Sequence, residues 1–188
     1  MYKRQNNTRE QSGIQDVSFM VKWAALEESK KNGRVTYVVG LGGSIATGYE
    51  PTGILSIGNG APSIDGKLGL QYNNNSGFFG NIFVGGSIRG KSDNNLNLGN
   101  GEDFDVPNSV NAQVKLGYAS NIIYADVWFD AQKSLRGVDI GGDNFFGNFP
   151  ETRVNYSRVG LNLYVPLSKA IGLSGGAGTI LDLSLIHI

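Results

Sequence analysis

Between residues 109 and 118, Val110, Ala112, Val114, Leu116 and Tyr118 alternate with Asn111, Gln113, Lys115 and Gly117. The same alternation resumes at once: Ile123, Ala125, Val127, Phe129 and Ala131 are set against Tyr124, Asp126, Trp128, Asp130 and Gln132. Period two over ten residues, twice in succession, is the signature of strands with one apolar and one polar face. Only Ser120-Asn121 separates the two runs, which predicts a hairpin with a two-residue loop. That loop would pair Ala119 with Ile122, Val114 with Val127, Leu116 with Ala125 and Lys115 with Asp126, so that apolar residues meet apolar ones. Lys115 and Asp126 are then expected to form a cross-strand ion pair.

Less regular alternation predicts further strands at 16–26, 34–47, 66–72, 78–89, 153–165 and from 171 onward, about eight in all. The connections at 27–33, 73–77, 120–121 and 166–170 are short. Those at 48–65, 90–108 and 133–152 are long, polar and rich in Gly, Asn and Asp. Short and long alternate throughout, as they do in bacterial transmembrane β-barrels with short periplasmic turns and long extracellular loops. The expectation is an all-β, antiparallel up-and-down transmembrane β-barrel, truncated, with about eight strands present, its short turns periplasmic in a Gram-negative outer membrane. Tyr72, Phe78, Tyr118 and Tyr164 fall near short turns, where an interfacial aromatic girdle belongs, although parity turns Tyr164 inward. A soluble β-sandwich or barrel acting as a binding module alternates in the same way and is the competing fold.

Both termini read as foreign. Residues 183–188, Leu-Ser-Leu-Ile-His-Ile, are what CTG TCT CTT ATA CAC ATC encodes, and residues 1–5, Met-Tyr-Lys-Arg-Gln, are its reverse complement read as GTG TAT AAG AGA CAG. That string resembles a transposon-end sequencing adapter, so residues 6–182 are taken as a fragment of a single barrel domain. Setting the ends aside removes Lys3, Arg4 and the one histidine, leaving 14 basic residues of 16 against 16 acidic ones. Such a balance offers no electrostatic reason for a nucleic-acid partner. The chain has no cysteine, which excludes disulfides and thiolate metal sites. With 28 glycines and no apolar run near the roughly 20 residues of a membrane helix, any membrane crossing would be made by strands.

Residues 39–72 read VGLGGSIATGYEPTGILSIGNGAPSIDGKLGLQY. The glycine-spaced strand, Ala46-Thr47-Gly48-Tyr49, the Ile57-Gly58-Asn59-Gly60 loop and the Leu68-Gly69-Leu70 strand resemble the transporter-like barrels grouped with the phenol meta-degradation pathway. Those barrels often carry Pro-Thr-Gly at this corner, where Ala46 here stands in place of the proline and Pro51-Thr52-Gly53 follows a few residues later. Residues 155–166, NYSRVGLNLYVP, are similar to a strand of uncharacterised Bacteroidota-type barrels. The resemblance implies an outer-membrane location and passage of small hydrophobic compounds. It carries no site residues.

The chemistry expected is sparse. Without a histidine in residues 6–182 there is no side chain to move protons near neutral pH, so no enzyme is expected unless its base lies in another segment. Gly40-Leu41-Gly42-Gly43-Ser44-Ile45 begins like a dinucleotide loop, but Ile45 stands in the third glycine position and no helical pattern follows. It reads as a curved strand. Asp93, Asn95 and Asn97 are spaced like a calcium loop, yet Leu98 replaces the required glycine and Phe104 the bidentate glutamate. No cofactor or metal is expected. The polar faces are where function would reside: Lys22, Gln113, Lys115, Tyr124, Asp126, Trp128, Asp130 and Arg158 should face a lumen. There they either brace the wall as an ion-pair ladder or set selectivity for a solute. The expected partners are a lipid bilayer and an unidentified small solute. An adhesive surface barrel acting through residues 48–65 and 90–108 is the alternative function.

Overall fold

The computed structural model describes residues 16–47, 60–93, 103–137, 153–168 and 171–184. They form β1 (Val17–Lys30), β2 (Gly33–Ile45), β3 (Ser63–Asn74), β4 (Phe78–Arg89), β5 (Lys91–Ser92), β6 (Phe104–Asp105), β7 (Ser109–Ala119), β8 (Tyr124–Ser134), β9 (Asn155–Pro166) and β10 (Gly172–Ser184). Eight of these make one antiparallel meander in the order β1-β2-β3-β4-β7-β8-β9-β10, while β5 and β6 pair separately. All eight expected strands are present. The sheet does not close on itself, because no ladder joins β1 to β10. Both outer strands carry a bulge, at Ala24/Leu26 in β1 and at Ile180/Asp182 in β10, a common way for a strand at a sheet edge to twist away from further pairing. β10 continues to Ser184, pairing Leu183 with Tyr156 and Ser184 with Asn155.

Three corrections to the sequence reading concern connections. Ala119 pairs with Tyr124, Lys115 with Trp128, Leu116 with Val127 and Gly117 with Asp126, so the β7-β8 register is displaced by two from that expected. The loop is Ser120 to Ile123, not Ser120-Asn121: Ser120 N–H donates to Ile123 O at 2.8 Å, and Ser120 Oγ accepts from the N–H groups of Ile122 and Ile123 at 3.4 and 3.3 Å. A tight two-residue loop of type I′ demands positive φ at both central residues, which serine resists, whereas its hydroxyl readily caps its own turn. A shift of two leaves every side chain on its predicted face. The third correction is at 90–108, whose described ends are not plain loop, since β5 and β6 form a short stem beside buried Phe104 and Val106.

The other short connections follow simple turn chemistry. Lys31-Asn32 joins β1 to β2. Between β3 and β4, Gly77 N–H donates to Asn74 O at 3.0 Å, Asn74 Oδ1 accepts from Ser76 N–H and Oγ–H, and Gly77 has φ +95°, a conformation that favours glycine. The middles of the three long connections lie outside the described residues. The glycine-rich stretch from Gly40 to Ile45 is strand, the C-terminal part of β2.

Candidate functional site: the concave polar face

Direct cross-strand partners share a face, so the ladders assign each side chain. One face carries Val21, Leu41, Leu68, Val84, Val110, Val127 and Leu161, all exposed. The other carries the polar set and is the better covered. In β3 the residues alternate strictly, with polar Ser63, Asp65 and Lys67 half-buried and apolar Ile64 and Leu68 open. Val38, Thr36 and Asp126 are buried on that face, while Leu41 on the opposite face is 64% exposed. The polar face is also concave. Lys22 on β1 brings Nζ within 5.5 Å of the Phe83 ring centroid on β4, three strands away.

Lys22, Gln113, Lys115, Tyr124, Asp126, Trp128, Asp130 and Arg158 all lie on this face by register. Four of them, joined by Asn162, build two cross-strand braces. Asp126, whose side chain is fully buried, takes Lys115 Nζ at 3.3 Å on one oxygen and Asn162 Nδ2 at 2.9 Å on the other, tying β7, β8 and β9 together. Lys115 reaches it diagonally rather than from directly opposite, the consequence of the displaced register. Asp130 receives a two-pronged donation from Arg158, Nε at 2.9 Å and an Nη at 2.5 Å, the planar fork geometry that makes such pairs specific. Arg158 also lies over the Tyr156 ring at 4.7 Å.

Aromatic side chains of the face lie over glycines of neighbouring strands. Phe83 covers Gly69, Phe79 covers Gly117 and Trp128 covers Gly160, each pair directly opposite in its ladder. Tyr164, on this face as parity required, covers Gly172, and Tyr124 stacks on Phe79 with centroids 5.4 Å apart. On the apolar face, Phe78 and Tyr118 meet edge to face at 5.1 Å beside the short turns, with Tyr72 on the same face.

Parity could have found Lys67, Asn162 and Arg89, which the sequence reading passed over. Arg89 sits where the sheet meets the long connections, donating to Pro107 O at 2.9 Å. It lines a polar hollow of about 290 Å³ with Asp105, Asn108 and Arg136. On the opposite face, an apolar groove of about 740 Å³ runs past Val39, Leu68, Val84, Val110 and Ala112, where Gly66 pairs with Gly86. Asp93 is described, whereas Asn95 and Asn97 lie outside the described residues. No group of three or more potential metal ligands occurs among the described residues.

An antiparallel meander that turns its polar side chains into a concavity and its apolar ones outward is built on the plan of a β-barrel wall. The chain belongs to the family described as Putative MetA-pathway of phenol degradation, whose model matches residues 2–176. No curated protein and no solved structure matches it.

Proposed function

We propose that this sheet is part of the wall of an outer-membrane β-barrel that passes small solutes, its short turns periplasmic and its long connections extracellular. One observation carries the reading: the apolar side chains of all eight strands form a continuous exposed face, while the charges away from the strand ends are gathered in the concavity. Exposed apolar area on that scale is not left bare to water, and lipid is the surroundings that suit it along every strand. A sandwich would instead turn this apolar face onto a second sheet and leave the polar face open to solvent. Here the polar face is the covered one. Strands of 11 to 14 residues match the roughly 9–11 needed to cross a bilayer at a tilt. Family membership adds that small hydrophobic compounds belong among the solutes to be tried first.

The experiment is to express the gene in an outer-membrane-bearing host and follow gel mobility with and without boiling, then measure solute uptake into vesicles containing the purified protein. A mobility shift with uptake supports the proposal. A water-soluble product with no shift sinks it and restores the sandwich.

A further inference from the structure

The concave face is not electrically neutral. Along the strands it carries Lys22, Arg34, Lys67, Arg89, Lys115 and Arg158 against Glu27, Asp65, Asp126 and Asp130, six cations against four carboxylates. Arg34 and Glu27, at the short-turn end, pair with each other at 3.5 Å. The braces neutralise Lys115 and Arg158, so the excess falls on the β1-β4 side. It is concentrated at one point: Lys22 and Lys67 direct Nζ to the same phenyl ring, 5.5 and 5.6 Å from the centroid of Phe83. Among the described residues neither ammonium has a carboxylate within 4.0 Å.

The backbone is shaped to bring them together. Lys22 and Lys67 are both direct partners of Gly40, on its two sides. A Cβ at Gly40 would stand 3.3 Å from Lys67 Cβ and 3.6 Å from Lys22 Cγ. With hydrogen there instead, the two stems lean over β2 and converge. Phe83, 8% exposed and seated on Gly69, gives them a largely buried apolar floor. A single ring attracts each cation only modestly, and the two cations repel each other. An anion between them removes that repulsion.

We propose that Lys22, Lys67 and Phe83 form a binding site for an organic oxyanion, whose charged head bridges the two ammonium groups and whose apolar body rests on Met20 and the Gly40–Gly42 floor beside them. Met20 shares the concave face, is 39% exposed and places its sulfur against Gly40. This rests on the reading of the face as a solute path and narrows the solute from a neutral hydrocarbon to an amphiphilic anion. The local charge excess favours anions at this point of the path, as Lys and Arg side chains do in anion pores.

The test is equilibrium binding of benzoate to the chain folded in detergent micelles, with benzamide as the neutral match and inorganic phosphate and chloride as competitors. Folding of every variant is checked by heat-modifiability. Benzoate should bind on the order of tenfold more tightly than benzamide, as expected for charge-assisted contacts, and added salt should weaken it. Lys67→Gln and Lys22→Gln should each reduce benzoate binding several-fold, and the double variant should abolish it. Lys67→Arg should retain binding, which keeps the test decisive where a glutamine variant fails to fold. Equal binding of benzamide, or undiminished binding by a folded double variant, would overturn the site. Displacement of benzoate by chloride as readily as by another carboxylate would reduce it to a sink for inorganic ions and overturn the organic assignment. Vesicle uptake separates the two readings: benzoate bound without transit leaves the site standing and removes the path. Uptake of neutral solutes with no preference for anions does the reverse.

Discussion

The Trp128 indole lies over Gly160, its direct partner across the β8-β9 ladder, and extends far enough to cover Gly178 on β10. One large side chain thus roofs two strands whose own positions are empty. It shields backbone that would otherwise face the concavity, a known way of supporting glycine in sheets. A Cβ on Gly160 would overlap the ring, and one on Gly178 would sit 3.1 Å from Cζ2.

Gly160→Ala should therefore expel the indole and lower stability by about 1–3 kcal/mol, the usual cost of overpacking. Gly69→Ala should do the same to Phe83. Gly66→Ala is the control: it stands on the apolar face and a Cβ there meets nothing within 4 Å, so it should be neutral or stabilising by about 0.4–1 kcal/mol through the unfolded chain. Urea unfolding of the three variants in micelles measures the contrast. Equal losses at Gly66 and Gly160 would mean that backbone entropy, not the ring, sets the glycine requirement.

The β7-β8 register makes a second prediction that side-chain chemistry can read. Leu116 and Val127 are direct partners, and directly opposed Cα atoms are about 4.5–5.5 Å apart, within reach of a disulfide. The double variant Leu116→Cys/Val127→Cys should cross-link on mild oxidation. Leu116→Cys/Ala125→Cys, the pair of the tighter hairpin, should cross-link poorly or not at all. Gel mobility under non-reducing conditions distinguishes the two, and the reverse result would restore the two-residue loop.

That hairpin shows how far the chain could be read unaided. Alternation located β7 and β8 and assigned every face correctly, because burial enforces period two. It could not locate the turn, because the turn is decided by where one hydroxyl, that of Ser120, finds its donors. Phe83 escaped notice for a different reason. In β4, Phe79 and Phe83 lie on the polar face and Phe78, Ile82 and Val84 on the other, so apolar residues occupy both sides and parity loses its contrast. The convergence of Lys22 and Lys67 was equally hidden. It depends on which strands neighbour β2 and on sheet curvature, neither of which periodicity encodes. β5 and β6, two residues each, are too short to have a period.

Removing one partner of a buried carboxylate should cost more than removing one from an open pair. Lys115→Met removes the cation paired with Asp126, whose side chain is fully buried, and should lower stability by about 1–3 kcal/mol. Adding Asp126→Asn should recover part of that loss, giving a favourable coupling between the two sites in a double-mutant cycle. Arg158→Met breaks a pair whose side chains are 45% and 16% exposed. Its cost should be nearer 1 kcal/mol or below and should shrink further in high salt. A larger loss at Arg158 than at Lys115 would show that the forked geometry outweighs burial here.

The membrane reading has its own mutational signature, because lipid penalises charge by depth. Val84 and Ile88 are both exposed on the apolar face of β4. Val84 is near the middle of the strand, whereas Ile88 is next to its last residue, beside Arg89 and the long connection. In a bilayer Val84→Lys should destabilise by roughly 2–4 kcal/mol and Ile88→Lys by about 0–1, since a lysine near the interface can extend its ammonium into the headgroups. The same comparison at Gln113, on the concave face opposite Phe83, removes the depth effect, because its side chain meets water and polar groups rather than lipid. Folding in vesicles of defined composition, titrated with urea, yields the three values. A steep difference between Val84 and Ile88 together with a small effect at Gln113 is what lipid contact requires. Equal tolerance of lysine at Val84 and Ile88 would mean that the apolar face meets something other than a bilayer.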